Sequence, residues 1–312
     1  MVKIALTMGD PAGIGPELCV RAAALPEFAN VKFVIYGGKN VIEEAVRRFS
    51  PGVMPELRDT GSPEKLVFAQ NSAECGKSAY DALTAAVTDA LQGNVDAIVT
   101  APMNKYSVNL TGIPFSGHTE RIAELCNTPV FAMMQSSGNF RGAFVTTHIG
   151  ICDVPRRVTF ERIVDVGKML NDVAISEGVS SPVLACAALN PHAGENGCMG
   201  REDEEIVKPA VAALNAMGIK VEGPLPPDVV FVETIRSKYD GIISMYHDQG
   251  HIPFKMIAFD SGVNSTLGLP IIRTSPDHGT AFDIAWQGKA DMGSFLAACR
   301  TAILRAEKKS GK

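Results

Sequence analysis

Three histidines stand where apolar runs stop. Phe144-Val-Thr-Thr-His148, Val183-Leu-Ala-Cys-Ala-Ala-Leu-Asn-Pro-His192 and Gly241-Ile-Ile-Ser-Met-Tyr-His247 each read as a short strand delivering an imidazole at its end. One such histidine is ordinarily a satisfied strand-end residue. Three are harder to dismiss, because on parallel strands all of them reach the same edge of a sheet. Three imidazoles around an open position suit a divalent transition metal, zinc first, with water or substrate in the open place. This requires His148, His192 and His247 to converge, within one chain or across a subunit boundary. All six histidines, these three with His118, His251 and His278, fall in polar clusters, and none reads as ordinary surface on a helix face.

The densest cluster is Tyr246-His-Asp-Gln-Gly-His251, after the apolar Gly241–Met245 and before Lys255. A strand running into such a cluster is the pattern of a site at the carboxyl end of a strand in an α/β protein. Asp228 and Asp248 are available to orient a ligand or move a proton. Lys105, Lys255 and Arg273 stand at element ends in apolar or glycine-rich surroundings, which favours anion binding over plain solvation. A metal beside several anion donors suits a small, doubly charged substrate such as a phosphorylated hydroxy acid.

The composition narrows the field. The 312 residues, 46% of them apolar, can fill one large domain or two smaller ones. A net charge of −5 and 6% aromatics argue against nucleic acid and anionic membrane as partners. No run approaches membrane-spanning length, and the apolar part of Met1–Thr7 is too short for a secretory signal. Seven scattered cysteines without a C-x-x-C pair read as reduced thiols of a cytoplasmic protein. Neither a P-loop nor a G-x-S-x-G elbow is present.

Strands and helices alternate along the chain, which predicts an α/β fold with mostly parallel strands. Val2–Met8 is the first strand. Gly9-Asp-Pro-Ala-Gly-Ile-Gly-Pro-Glu17 is a tight turn opening a helix; Gly13 and Gly15 are followed by Leu18, so the dinucleotide fingerprint fails. What remains is a backbone-rich loop that a ligand can approach. Ser78 with Asp81 resembles a capping box for a helix over 78–91. Gly117-His-Thr-Glu120 opens a helix whose free amides could hold an anion, or else Thr119 only caps it. A long helix over 159–177 turns Phe160, Ile163, Gly167 and Leu170 inward. The acidic run Glu202–Glu205 suits the positive end of a helix and needs no functional reading. The stretch from Thr274 to Ala285 reads as a loop turning into a helix, and 291–305 as the closing helix.

With these residues laid out, the chain resembles the pyridoxine-biosynthesis dehydrogenase family, that of 4-hydroxythreonine-4-phosphate dehydrogenase. The resemblance spans nearly the whole chain and rests on Gly9–Glu17, Gly117-His-Thr-Glu120, Asn190-Pro-His-Ala-Gly-Glu195, Tyr246-His-Asp-Gln-Gly250 and Asp277-His-Gly-Thr-Ala281. It implies a two-domain fold like isocitrate and isopropylmalate dehydrogenases, with the active site in the interdomain cleft. The expected domains are 1–114 plus 274–312 on the nucleotide side and 115–273 for metal, substrate and dimerisation. The segment His278–Ala285 resembles the nucleotide loop of isopropylmalate dehydrogenase, so an NAD site is implied without a Rossmann motif, at His278, Gly279, Thr280 and Asp283.

The resemblance also implies roles for single residues. His148, His192 and His247 match metal ligands, one of them from the other subunit of a homodimer; Zn²⁺ leads, with Mg²⁺, Mn²⁺ or Co²⁺ as alternatives. His118, Thr119, Lys255, Asn264 and Arg273 match substrate-binding positions, and Met8 and Asp10 lie where the family approaches substrate or cofactor. Asp228, Asp248 and a lysine such as Lys255 are the candidates for proton transfer. The implied reaction is NAD- and metal-dependent oxidation and decarboxylation of a 4-phosphorylated 3-hydroxy acid. One departure is His251, where many pyridoxine-pathway members carry an apolar residue. A histidine there is similar to a branch acting on 4-phospho-D-threonate and 4-phospho-D-erythronate, and to the dihydrodiol dehydrogenases of terephthalate breakdown. An acyl- or phosphoryl-transfer enzyme on a related fold and a non-catalytic metal protein are the competing readings.

Overall fold

The computed structural model describes residues 1–311. Its strands, in chain order, are β1 (Val2–Thr7), β2 (Val31–Gly37), β3 (Glu56–Asp59), β4 (Ala97–Thr100), β5 (Ala132–Ser137), β6 (Phe140–Phe144), β7 (Val183–Ala187), β8 (Lys220–Leu225), β9 (Gly241–Ser244), β10 (Val263–Leu267) and β11 (Arg273–Pro276). The chain divides into two compact units, Met1–Pro129 with Leu269–Lys312, and Val130–Gly268. Residues 115–129 and 269–273, expected with the second unit, fall in the first, and they carry His118, Thr119 and Arg273 with them.

In the first unit the strand order is β3-β2-β1-β4-β11, and every recorded pairing is parallel. Parallel strands covered on both faces need continuous apolar runs, and β1 and β4 supply them. The core gathers Val34, Tyr36, Leu83, Val87, Ile98 and Ile122. The helix Gly15–Ala23 can lie close to β1 because a Cβ at Gly15 would stand 2.0 Å from the Met8 carbonyl oxygen. The helix Ala73–Leu91 starts earlier than Ser78: Ser72 is its cap, accepting from the Cys75 amide at 3.1 Å, while the Ser78 hydroxyl donates to the Gly61 carbonyl. Gly76 is needed inside this helix, since a Cβ there would meet the Ser107 carbonyl oxygen at 2.1 Å.

In the second unit the order is β10-β5-β6-β9-β7-β8. β5 is antiparallel to both neighbours, whereas β6, β9, β7 and β8 run parallel. The helix Phe160–Ser176, capped by Thr159, packs Ile163 and Leu170 into the core. Gly241 makes room for it, since a Cβ there would lie 2.9 Å from Leu170. Phe160, expected inward, is 39% exposed in the first turn. The run at Val229 is helical, Pro227–Val230. In the first unit, the segment after Thr274 becomes β11 and then a three-residue 3₁₀ turn, Phe282–Ile284, in place of the expected helix; the closing helix is Gly293–Lys309. His118 opens a helix, as expected, and so does His247, with His251 one turn further inside the helix His247–Ala258.

Candidate active site

The order β6-β9-β7 puts the three histidine-bearing strands side by side and parallel, so their carboxyl ends share one edge. Pairing continues past the strands: the Val145 amide donates to the Ser244 carbonyl at 2.8 Å, and the Thr146 hydroxyl to that of Met245 at 2.7 Å. This carries His148 and His247 forward together. Their ring centroids lie 5.8 Å apart, and both line a 290 Å³ pocket with Thr147, Tyr246 and Asp248. The Asp248 carboxylate holds His247 Nδ1 at 2.7 Å, which leaves Nε2 as the free ligand atom.

His247 also rests on another ring. His251 stacks beneath it at 3.8 Å and 9°, and Phe144 stacks on His251 at 4.3 Å. His251 Nδ1 meets the His247 carbonyl at 3.1 Å, and its residue is only 6% exposed. His251 is therefore a support under His247.

His192 behaves differently. It is exposed, and it begins a left-handed turn: His192, Ala193, Glu195 and Asn196 all have φ between 41° and 55°. Among the described residues no three histidine, cysteine, aspartate or glutamate side chains are grouped to hold a metal. The expected trio does not close within one chain. It stops at the His148–His247 pair, because the turn carries His192 to the surface. Two imidazoles, one with a ring nitrogen held by a carboxylate, are donors of the type zinc takes.

Arg273, His118 and Thr119, expected to bind substrate, lie in the first unit. Arg273, at the start of β11 and 3% exposed, donates to the Thr100 hydroxyl from Nε at 3.2 Å and Nη2 at 2.8 Å. Burial pulls its pKa down to about 10, with Glu120 acting the other way. His118 opens the helix His118–Leu125. Burial, then the charges of Arg273 and Lys105, push its pKa down to about 3 against a hydrogen bond to the Ala101 backbone. The ring is neutral, and its Nε2 is buried without a protein partner, poised to accept. Thr119 follows on the same helix, half-buried.

That burial has a testable sign. The unfolded ring titrates near ~6.5, the folded one near 3. Between those values the unfolded chain binds more protons, so stability falls as pH drops through that window and is unaffected by this group above it. Urea midpoints at pH 7 and pH 4 should therefore drop further for the parent than for His118→Asn; equal drops would contradict a buried neutral ring.

The loop expected to meet the nucleotide packs on the glycine-rich turn of the same unit. The Ile14 amide donates to the Thr280 carbonyl at 3.1 Å, and a Cβ on Gly13 would stand 3.0 Å from that oxygen. Gly13 is thus explained by packing rather than by ligand approach. His278 Nδ1 meets the Gly279 carbonyl, and its Nε2 is buried with no protein partner; Asp283 is exposed. Asp10, fully buried, accepts from the Ala12 amide through Oδ1 while Oδ2 has no partner. Burial holds this carboxyl above the usual range. In the second unit Asn264 leaves Oδ1 buried and unpartnered. Lys255 and Asp228 are exposed, and neither lines the His148–His247 pocket.

A family model described as "Pyridoxal phosphate biosynthetic protein PdxA" matches residues 23–302. The chain belongs to the PdxA family. It is 41% identical to a 4-hydroxythreonine-4-phosphate dehydrogenase of Desulforapulum autotrophicum, over 97% of this chain and 95% of the relative. It is 39% identical to a D-threonate 4-phosphate dehydrogenase of Pectobacterium atrosepticum, over 96% and 98% of the two chains. A crystal structure of 4-hydroxythreonine-4-phosphate dehydrogenase from Klebsiella pneumoniae superposes with a TM-score of 0.87 at 38% identity, covering 98% of this chain and all of the other. The protein is an oxidoreductase of the PdxA family.

Two residues of this PdxA-family site escaped the sequence reading. Gln249 was only one polar member of a dense cluster. Asp203 sat in an acidic run that a helix start explains. In the fold both carry backbone groups at the β7 and β9 ends. The only signal for Asp203 was the long turn-rich loop 190–197, whose amides need acceptors.

Proposed function

We propose that the protein is an NAD- and divalent-metal-dependent dehydrogenase that oxidises and decarboxylates a 4-phosphorylated 3-hydroxy acid, 4-phosphohydroxy-L-threonine or 4-phospho-D-threonate. The observation that carries this reading is the His148–His247 pair at one pocket on the edge of three parallel strands. Kinship with dehydrogenases of both substrates supports it.

The first unit supplies the phosphate grip. Arg273, fixed by Thr100, and Lys105 bring positive charge, and neutral His118 adds an acceptor for a hydroxyl or amine. This grip favours a phosphorylated acid over an unphosphorylated diol. In the second unit, His148 and His247 with His192 of a second copy would hold a divalent cation, zinc first. Bound there, the cation supplies Lewis acidity that lowers the pKa of the substrate hydroxyl. The loop of His278, Gly279, Thr280 and Asp283 would hold NAD, which accepts the hydride.

Oxidation removes the hydroxyl proton and a hydride from C3, giving NADH and a β-keto acid. Loss of carbon dioxide leaves an enolate that takes up a proton. Asp248 keeps the His247 ring in place; Asp228 and Lys255 remain the candidates for moving protons. A homodimer is supported by exposed apolar residues along and just past the helix of His247: Ile252 at 58%, Met256 at 83% and Phe259 at 71%. The free cysteines support a reducing, cytoplasmic setting. No described helix is long and apolar enough to cross a membrane. The two-domain plan of isocitrate and isopropylmalate dehydrogenases belongs to this reading.

The test is absorbance of reduced nicotinamide with zinc and each 4-phospho acid in turn. At least one should give NADH and carbon dioxide in equal amounts, and its unphosphorylated counterpart should fall by about 10³-fold in kcat/KM, a loss of about 4 kcal/mol. Absence of NADH with every 4-phospho acid, alongside acyl or phosphoryl transfer, would overturn the reading.

A further inference from the structure

We propose that Gln249 and Asp203 are positioning residues that set where the metal-binding histidines leave the sheet. The inference rests on the metal reading above and concerns the segment between β7 and His192. β7 ends at Ala187, and the left-handed turn starts at His192. The Ala188 amide still donates to the Leu225 carbonyl of β8 at 2.8 Å, and past that bond side chains rather than sheet pairing hold the path.

Gln249 is 8% exposed, two residues past His247. Its Oε1 accepts from the Met245 amide at 2.7 Å, and its Nε2 donates to the Ala188 carbonyl at 2.7 Å. One amide therefore spans the end of the strand that carries His247 and the end of the strand that carries His192. Asp203 takes over at the next two residues. It is fully buried; Oδ1 accepts from the Leu189 amide at 2.8 Å and Oδ2 from the Asn190 amide at 3.0 Å. Asn190 Nδ2 is then tied to the Glu202 carboxylate at 2.8 Å. Three consecutive backbone groups, Ala188 C=O, Leu189 N–H and Asn190 N–H, are thus held by two side chains from different elements.

The turn beyond is made possible by the same packing. Gly194, at φ 77°, lies close enough that a Cβ would stand 3.4 Å from the Asp203 Cβ and 3.1 Å from the Gly200 carbonyl oxygen. Left-handed backbone is strained for residues with side chains, so a run of them persists only where its ends are fixed. A buried carboxylate is an expensive fixture unless its oxygens are satisfied by donors. Here both are, and both donors belong to the approach to His192. Positioning an exposed histidine for a second copy gives this arrangement a purpose beyond holding a loop.

The test measures zinc affinity of the full-length protein by competition with a chromogenic chelator. Gln249→Glu keeps the acceptor for Met245 and loses the donor to Ala188. Asp203→Asn keeps one acceptor of two. Each should weaken zinc binding about 10–100-fold, as loss of groups supporting metal ligands does, with the circular dichroism of the parent. Glu177→Gln, which breaks the buried Arg141 ion pair in the same unit, is the control for destabilisation alone and should leave zinc affinity unchanged. His192→Ala reports on the metal reading. Unchanged affinity in His192→Ala overturns that reading and this inference with it. Weakened affinity there, with parental affinity in both Gln249→Glu and Asp203→Asn, overturns the positioning inference alone. The same holds if Glu177→Gln weakens binding as much as they do. Should Asp203→Asn fail to fold, Gln249→Glu decides.

Discussion

His247→Ala is expected to lower kcat by about 10³-fold or more while the protein stays folded. The ring faces the pocket rather than the core, and the Phe144–His251 stack beneath it is built without it. Removing it deletes one of the imidazoles proposed to hold the cation, whose Lewis acidity is worth several kcal/mol of barrier; about 4 kcal/mol corresponds to that factor. Zinc content per chain should fall with activity, and a chelator should reproduce the loss in the parent and be reversed by added zinc. Turnover within tenfold of the parent, or full activity in chelator, would remove the metal from the mechanism.

Arg273→Lys should raise KM by about 10²-fold with a smaller change in kcat. Arginine here is held in plane by Thr100 through two donors and is almost wholly buried. Its fork can face a phosphate bidentately; a lysine offers a point charge on a flexible stem and loses the match to Thr100. Loss of ground-state binding appears in KM. The unphosphorylated substrate is the internal control, because its kcat/KM should barely respond. A variant equally impaired on both substrates would place Arg273 outside the phosphate grip.

Much of the candidate site was legible because strand ends are. The apolar runs before His148, His192 and His247 marked three strands, and alternation with helices implied that they run parallel, which fixes the shared edge. What the runs could not show was direction after the strand. His148 and His247 continue along paired backbone, whereas His192 opens a left-handed turn at the surface, a conformation disfavoured for most of its residues, just after the amides that Asp203 holds. His251 was legible only as a departure from the family pattern; its stacking between Phe144 and His247 depends on Phe144 lying beneath a helix about 100 residues later in sequence. The Ser78 cap misled for a similar reason: its hydroxyl is drawn to the Gly61 carbonyl, 17 residues away, and Ser72 caps the helix instead. Local propensity yields to tertiary approach at each of these points.

The central claim is that imidazoles of two chains act on one cation, and mixed dimers test it most directly. His192→Ala and His247→Ala subunits, each inactive alone, would be co-expressed with different tags and the mixed dimer purified. If His192 serves the partner's pocket, two-fold symmetry leaves one of the two sites whole, and activity should return to roughly half that of the parent dimer. A mixed dimer as inactive as either variant alone would contradict the account.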